Sequence, residues 1–224
     1  MRLTGGDGYL LDIRQLNRNY FHTKDWQNVS YKGKKLFKYP SDLITYQEII
    51  FDTKPEIIIE TGTCRGASPL FFYDTMVANG IKKPLVITID TKIYPNRDKC
   101  GGNIQYLKGS SLDVKILSFI EKTLNNKSVM VSLDSDHIRD HVFAELNAYS
   151  KFVTSGNYLV VEDTFLGEYG VFTNTAEERF RPDTGKTPKD AVEDFLKINN
   201  KFTIDKSRNK ILSMNPNGYL KRND

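Results

Sequence analysis

The chain contains little cysteine and no long apolar segment. Only two of its 224 residues, Cys64 and Cys100, are cysteines, which is too few for the disulfide framework of a small secreted domain. No apolar run approaches the roughly 20 residues that a membrane-spanning helix needs, and the first residues lack the continuous apolar stretch of a secretory signal. We therefore expect a soluble protein with no membrane span, located by default in the cytoplasm.

A large excess of one charge is also missing. Lys and Arg total 32 and Asp and Glu total 28, which gives a formal net charge of +4 at pH 7. Proteins that bind nucleic acid usually concentrate positive charge on one surface, so no nucleic-acid partner is expected. Four lysines do form a local basic run, which we interpret as a solvated loop: Lys32, Lys34, Lys35 and Lys38.

Strand-like and helix-like segments alternate through the middle of the chain. Several segments rich in Val, Ile, Leu or Tyr are apolar without alternation, which indicates strands buried on both faces of a parallel sheet. The predicted fold class is therefore α/β, a Rossmann-like, mostly parallel, doubly wound sheet. The predicted strands are 56–60, 85–90, 104–108, 128–134 and 157–163.

Capping signals predict where helices begin. Ser68 followed by Pro69 is typical of a helix start, and so are Ser41, Ser111 and Thr187.

The two ends of the chain are predicted separately. Near the C-terminus, "FTIDKS" and "ILSMNP" are close enough to pair as a hairpin, which adds an antiparallel strand to the sheet. Residues 1–50 are predicted to form a helical or irregular extension, and residues 51–224 a single globular domain.

The stretch "IIIETGTCRGASP" (57–69) predicts a ligand site, since ligands of open α/β sheets bind beyond the carboxyl ends of the strands. Gly62 and Gly66 allow close backbone approach, but the spacing differs from the dinucleotide fingerprint G-x-G-x-x-G. The carboxylate of Glu60 suits a cationic amine, and Asp90 can accept hydrogen bonds from two ribose hydroxyls. Together these residues suggest S-adenosylmethionine; an ordinary strand-end turn is the alternative.

The loop "LKGSSLD" (107–113) follows the third predicted strand. In this fold it lies near the adenine, where Ser110 or Ser111 could bond the base edge. For Ser111, a simple helix cap is the alternative.

Acidic residues follow the fourth and fifth predicted strands. Crowded carboxylates repel one another unless a cation or protons compensate, and oxygen ligands suit Mg²⁺ best, with Mn²⁺ or Ca²⁺ as alternatives. His137, beside this site, is a natural general base, whereas His141 is expected to orient or pack the next helix. The acids are Asp134, Asp136, Glu162 and Asp163.

Three stretches resemble a known family. "YPSDL", "YQEIIFDTKPEIIIETGTCRGAS" and "SLDSDHIRDHVFAELNAYSKFVTSGNYLVVEDT" are similar to the cephalosporin hydroxylase/rhamnosyl O-methyltransferase family, which are S-adenosylmethionine-dependent enzymes of Rossmann-like fold. The similarity extends from about Trp26 to Thr164. One departure is that the family's "GGS" stands here as Arg65-Gly66-Ala67-Ser68.

The resemblance implies roles for particular residues. Asp136 is expected to bind Mg²⁺ with Glu162 and Asp163, with Asp134 as the alternative ligand and otherwise near the donor. His137 and Asp136 form the predicted catalytic pair. The candidate donor-binding residues are Glu60, Gly62, Thr63, Gly66, Ser68, Asp90, Ser110, Ser111 and Asp134.

The predicted activity is Mg²⁺-dependent O-methylation of a sugar or a sugar-containing small molecule. A nucleotide sugar is one candidate acceptor, and the resemblance implies a homo-oligomer. The long polar segment 164–186 is a candidate lid, through Tyr169, Phe172, Arg179 and Arg181.

Other functions are less well supported by the residues. A nicotinamide-dependent oxidoreductase would need a tighter glycine fingerprint, and a non-catalytic binding module would not need His137 and the acids together. "NPNGY" (215–219) resembles the Asn-Pro-Pro-Tyr motif of base methylation but lacks its second proline.

Overall fold

A central sheet of seven strands organises the part of the chain that the computed structural model describes, residues 2–4, 10–92, 103–169 and 186–224. The strands there are β1 (Arg2–Thr4), β2 (Leu10–Asp12), β3 (Ser30–Tyr31), β4 (Lys34–Lys35), β5 (Ile57–Thr61), β6 (Leu85–Asp90), β7 (Ile104–Lys108), β8 (Val129–Leu133), β9 (Tyr158–Val161), β10 (Phe202–Ile204) and β11 (Tyr219–Arg222). The helices are α1 (Ile13–Thr23), α2 (Pro40–Thr53), α3 (Ala67–Ala78), α4 (Val114–Leu124), α5 (Arg139–Tyr149), α6 (Phe165–Tyr169) and α7 (Pro188–Ile198).

The strand order of the sheet is β10-β11-β9-β8-β5-β6-β7. The five strands from β9 to β7 run parallel, and β11 and β10 are antiparallel. The predicted mostly parallel α/β fold with an antiparallel C-terminal strand is therefore confirmed. β1 with β2 and β3 with β4 form two small separate ladders.

Continuous apolar strands lie at the centre of the sheet, as predicted. Every residue of β5, β8 and β9 is buried, because helices cover both faces. Alternate side chains of a strand point to opposite faces, so Ile57 and Ile59 pack against α4, α5 and α7, while Ile58 packs against α2 and α3. Burying one such isoleucine contributes about 1.5–3 kcal/mol.

Two helices begin where, or close to where, their capping signals predicted. Thr187 caps α7 through a complete capping box with Asp190, so this start is confirmed. α2 begins at Pro40, with Ser41 in its first turn.

Two predicted helix starts are wrong by two residues. α3 begins at Ala67 because Gly66, in a left-handed conformation with φ +75°, turns the chain into the helix before Ser68. α4 is capped by Asp113, whose side chain accepts from the amide of Lys115. Ser111 is instead buried, and its carbonyl accepts from the hydroxyl of Tyr149 at 2.7 Å.

The predicted hairpin has a different second strand. β10 pairs with Tyr219–Arg222, whereas "ILSMNP" (211–216) is irregular. Its backbone groups bond to distant side chains: the carbonyl of Ile211 accepts from Asn17 at 2.6 Å, and the amide of Met214 donates to Asp42 at 2.8 Å. These partners replace a strand ladder.

The helix α2 shares the core of the sheet. α2 crosses residue 50, and its side chains Tyr46, Ile49 and Ile50 join the cluster that covers Ile58. The division between an extension and a domain at this position stays a prediction. Within the described ranges, no helix combines the length and apolar character needed to cross a bilayer.

Asp42 is the strongest link between α2 and the C-terminal segment. It is 1% exposed and accepts from Ser213 Oγ at 2.5 Å, from the Met214 amide at 2.8 Å and from the Tyr219 hydroxyl at 2.9 Å. Removing this carboxylate would leave three buried hydrogen-bond donors without an acceptor.

We predict that Asp42→Ala lowers the free energy of unfolding by about 3 kcal/mol or more, because each buried donor left without a partner costs about 1–3 kcal/mol. Asp113→Ala, which removes an exposed helix cap, should cost only about 1 kcal/mol. Urea denaturation of both variants measures the difference. Equal losses in the two variants would contradict the role of Asp42.

Candidate active site

The carboxyl ends of β5, β6, β8 and β9 meet at one edge of the sheet, and Gly62 lies at the centre of this edge. Its φ is +89°, and a Cβ at this position would lie 1.8 Å from the backbone oxygen of Asp134. Only glycine fits, because a side chain would push apart the turns that follow β5 and β8. Glycine at this position was expected to let a ligand approach the backbone. In the structure it lets the turn after β5 approach the backbone of Asp134.

Two joined cavities open at this edge, with volumes of about 530 and 380 Å³. Four residues line both cavities: Gly62, Asp90, Thr91 and Ser135. A ligand that extends from one cavity to the other would pass over these residues.

Asp90 is rigidly held between the two cavities. Its Oδ2 accepts from the amide of Cys64 at 2.8 Å and its Oδ1 from the amide of Lys92 at 2.8 Å. A carboxylate oxygen has two lone-pair sites, so each oxygen of Asp90 can still accept a hydrogen bond from a hydroxyl group. This placement agrees with the predicted ribose contact.

Glu60 and Thr63 lie beneath the cavities, not in their walls. Glu60 Oε2 accepts from Thr88 Oγ1 at 2.6 Å, and Thr88 Oγ1 lies 2.7 Å from Thr63 Oγ1. Burial raises the pKa of Glu60 to about 8, although Lys38 opposes the shift. Glu60 Oε1 is buried and has no hydrogen-bond partner among the described residues.

The remaining donor-binding candidates divide between the cavities. Ser68 lines the larger cavity, whereas Ser110 and Ser111 line the smaller one. Gly66 serves as the cap of α3.

His141 lines the smaller cavity instead of only packing its helix. Its Nε2 lies 3.1 Å from Ser135 Oγ and 3.5 Å from Glu145 Oε1. Glu145 is buried, and its hydrogen bond raises the pKa of His141.

The larger cavity contains a cluster of three possible metal ligands. Asp134, His137 and Asp163 each offer an atom within 4.8 Å of the others, and His137 Nε2 lies 3.1 Å from Asp163 Oδ2. Asp136, the preferred ligand in the sequence prediction, lines the smaller cavity. The geometry therefore favours the alternative, Asp134.

Lys38 was missed by the sequence analysis and lies inside the acidic site. The side chain predicted to be part of a solvated loop is 2% exposed. Its Nζ lies 2.7 Å from Asp134 Oδ2 and 2.5 Å from Glu162 Oε1. The hydroxyl of Tyr46 donates to the same Glu162 oxygen at 2.6 Å. One signal was available: Lys38 directly precedes the "YPSDL" stretch.

The site as a whole is short of positive charge. Burial would lower the pKa of Lys38, but Asp134 and Glu162 raise it well above its ordinary value. Burial raises the pKa values of Asp134, Glu162 and Asp163, and Lys38 and His137 offset this only in part.

A divalent cation fits the cluster chemically. Mg²⁺ commonly uses one or two carboxylates and keeps several waters, a requirement that Asp134 and Asp163 can meet. Glu162 is less available, since its Oε1 already accepts from Lys38 and Tyr46.

Aromatic side chains form the wall opposite the acids. Phe21 stacks on Trp26 with ring centroids 5.3 Å apart and lies 5.2 Å from Phe165. These three residues and Phe37 line the larger cavity. Of the candidate lid, Phe172, Arg179 and Arg181 lie outside the described residues, as does the side chain of Tyr169.

Comparison with known proteins places this chain in a family. A family model described as Rhamnosyl O-methyltransferase/CmcI matches residues 23–223. The rhamnosyl O-methyltransferase of Mycobacterium tuberculosis (strain ATCC 25618 / H37Rv) is 30% identical over 212 residues, covering 91% of this chain and 82% of that protein. The Mycobacterium leprae (strain TN) protein of the same name is 30% identical over 181 residues, covering 79% and 74%.

Solved structures agree with the fold. The apo structure of CmcI-N160 has a TM-score of 0.66 at 19% identity and covers 89% of this chain and 78% of that chain. A structure of cmcI-D160 with Mg and SAM gives 0.63 with the same identity and coverage. From the family match and the mycobacterial relatives, the chain belongs to the Rhamnosyl O-methyltransferase/CmcI family, and the predicted enzyme class, an O-methyltransferase, is confirmed.

Proposed function

We propose that this protein transfers the methyl group of S-adenosylmethionine to a hydroxyl of a sugar or a sugar-containing small molecule, with the help of a divalent cation. The observation that carries the proposal is the pair of joined cavities: Asp90 lies between them, and His137 and Asp163 line the larger one. The names of the mycobacterial relatives support a sugar hydroxyl as the acceptor.

The donor would extend across both cavities. Its adenine would occupy the smaller cavity beside Ser110 and Ser111, its ribose hydroxyls would bond Asp90, and its methionine end would enter the larger cavity near Asp134. The structure of cmcI-D160 with Mg and SAM supports a donor of this kind.

Asp134 and Asp163 would hold Mg²⁺, with Mn²⁺ or Ca²⁺ as alternatives. When bound, the ion would lower the pKa of a coordinated acceptor hydroxyl. The aromatic wall of Phe21, Trp26 and Phe165 would hold the apolar face of the acceptor and exclude water from the reacting groups.

His137 would remove the acceptor proton. As the acceptor oxygen bonds to the methyl carbon, the carbon–sulfur bond breaks and S-adenosylhomocysteine leaves, while Nδ1 of His137 would take the proton. The other ring nitrogen, Nε2, lies 3.1 Å from Asp163 Oδ2 and would donate to it, so the resulting imidazolium would be stabilised by a carboxylate. A homo-oligomer and a nucleotide-sugar acceptor stay predictions.

The donor prediction concerns Asp90. We expect S-adenosylhomocysteine to bind and NAD⁺ not to bind in calorimetric titrations, and Asp90→Ala to weaken S-adenosylhomocysteine about tenfold or more, because a hydrogen bond to a charged group contributes about 1.5–3 kcal/mol. Glu121→Ala, on the exposed side of α4, is the control. Preferential binding of NAD⁺ would instead support an oxidoreductase.

The activity prediction concerns His137. In a screen of rhamnosides and nucleotide sugars for transfer of labelled methyl groups, we expect a sugar product from the wild type and about 10²- to 10⁴-fold lower turnover from His137→Gln. Donor affinity should change little in this variant. Wild-type turnover retained in His137→Gln would exclude it as the base.

The metal prediction separates the two candidate acids. We expect chelator to abolish turnover and Asp134→Asn to raise the Mg²⁺ concentration needed for half-maximal activity by about tenfold or more, because Asp134 belongs to the cluster with His137 and Asp163. Asp136→Asn should leave that concentration nearly unchanged. A larger increase in the required Mg²⁺ concentration for Asp136→Asn than for the other variant would identify Asp136 as the ligand. Full activity in excess chelator would rule out a metal role.

A further inference from the structure

The geometry points to Lys38 as an internal counterion that holds the acidic site together before any divalent cation binds, and that shares Asp134 with that cation. The part concerning the cation depends on the proposed function. The part concerning folding depends only on the described contacts of Lys38.

The contacts of Lys38 are those of a structural cation. Its Nζ lies between Asp134 Oδ2 and Glu162 Oε1, at 2.7 and 2.5 Å. Tyr46 and Ser132 complete the shell around Glu162, at 2.6 and 3.4 Å. The side chains of Lys38 and Glu162 are each 3% exposed, so water cannot replace either partner.

The backbone before Lys38 is arranged to deliver this side chain inward. Phe37 has a φ of +55°, a conformation that costs a residue other than glycine about 1–2 kcal/mol. Such strain persists only where the surroundings fix the chain. Here Leu36, Lys38 and Tyr39 are all buried, and α2 starts directly afterwards at Pro40.

Without Lys38 the site would hold buried carboxylates with too little compensation. Asp134 and Glu162 would lose their ammonium partner, while Glu60 lies near enough to interact with the same charge. A buried charge whose partner is removed destabilises a protein strongly. Only proton uptake or a bound cation could then compensate, so folding would become dependent on metal.

The position of Lys38 also affects the cation. Asp134 bonds Lys38 and belongs to the cluster with His137 and Asp163. An ammonium group on one of the two carboxylate ligands repels a divalent ion and competes for its oxygen. Lys38 therefore lowers the affinity of the site for the ion.

The test measures thermal unfolding with chelator and with Mg²⁺. In chelator we expect Lys38→Met to lower Tm by about 10 °C, from the usual loss on breaking a buried ion pair. Mg²⁺ should then raise the Tm of Lys38→Met by several degrees more than that of the wild type. Lys35→Met removes an exposed lysine that bonds Gln27 and Asn28 and should behave like the wild type.

A second variant isolates the charge. Lys38→Met with Glu162→Gln removes the lysine together with its more deeply buried partner and so restores the net charge of the site; Asp134 keeps its charge, but its side chain is 23% exposed. The Tm of this double variant in chelator should lie well above that of Lys38→Met alone. A double variant no more stable than Lys38→Met would overturn the counterion role, and so would a double variant that fails to fold as Lys38→Met does.

The two hypotheses fail in different ways. An equal Mg²⁺ response in the wild type and Lys38→Met would overturn the sharing of Asp134. No Mg²⁺ response in either protein, together with rescue in the double variant, would refute the metal part of the proposed function and the sharing of Asp134, and would support the counterion role.

Discussion

The parallel pairing of β5 with both β6 and β8 is the constraint on which the site depends. In register, Glu60 lies beside Thr88 on one neighbour and Ser132 on the other, so the turns after all three strands open at one edge. Because β5 is covered on both faces, a shift of register by one residue would turn each of its isoleucines towards the wrong cluster and disrupt the packing. The packing of the hydrophobic core therefore also fixes the positions of the polar groups at the carboxyl ends of these strands.

The same arrangement creates an electrostatic problem. Carboxylates gathered at a buried edge raise one another's pKa values and favour the protonated, inactive forms. The chain reduces this cost with one lysine, one histidine and a set of hydroxyl donors. The compensation is incomplete, since burial still raises the pKa values of Asp134 and Asp163, and the cluster retains an attraction for cations.

Local patterns predicted the sheet, most helices, the family and the acidic edge. They could do so because strand burial and the position of strand ends depend on short stretches such as 57–61 and 129–133. The second strand of the C-terminal hairpin was predicted wrongly because residues 211–214 bond to Asn17 and Asp42, which are remote in sequence.

Lys38 shows the limit of sequence reasoning most clearly. It follows three other lysines and so has the local pattern of a solvated loop, and the one nearby signal of a different role is the "YPSDL" stretch that follows it. Its partners follow 96 and 124 positions later, and only the folded sheet brings them together. The choice between Asp134 and Asp136 likewise depends on the turn after β8, which directs Asp134 to the larger cavity and Asp136 to the smaller one.

The helix α2 has a consequence for the boundaries of the functional unit. Lys38, just before α2, and Tyr46 within it hold Glu162, while Asp42 anchors the segment that precedes β11. A chain that began at residue 51 would retain every strand of the large sheet yet lose the side chains that hold Glu162 and the segment before β11. The helix before the first parallel strand is therefore packed as part of the acidic edge.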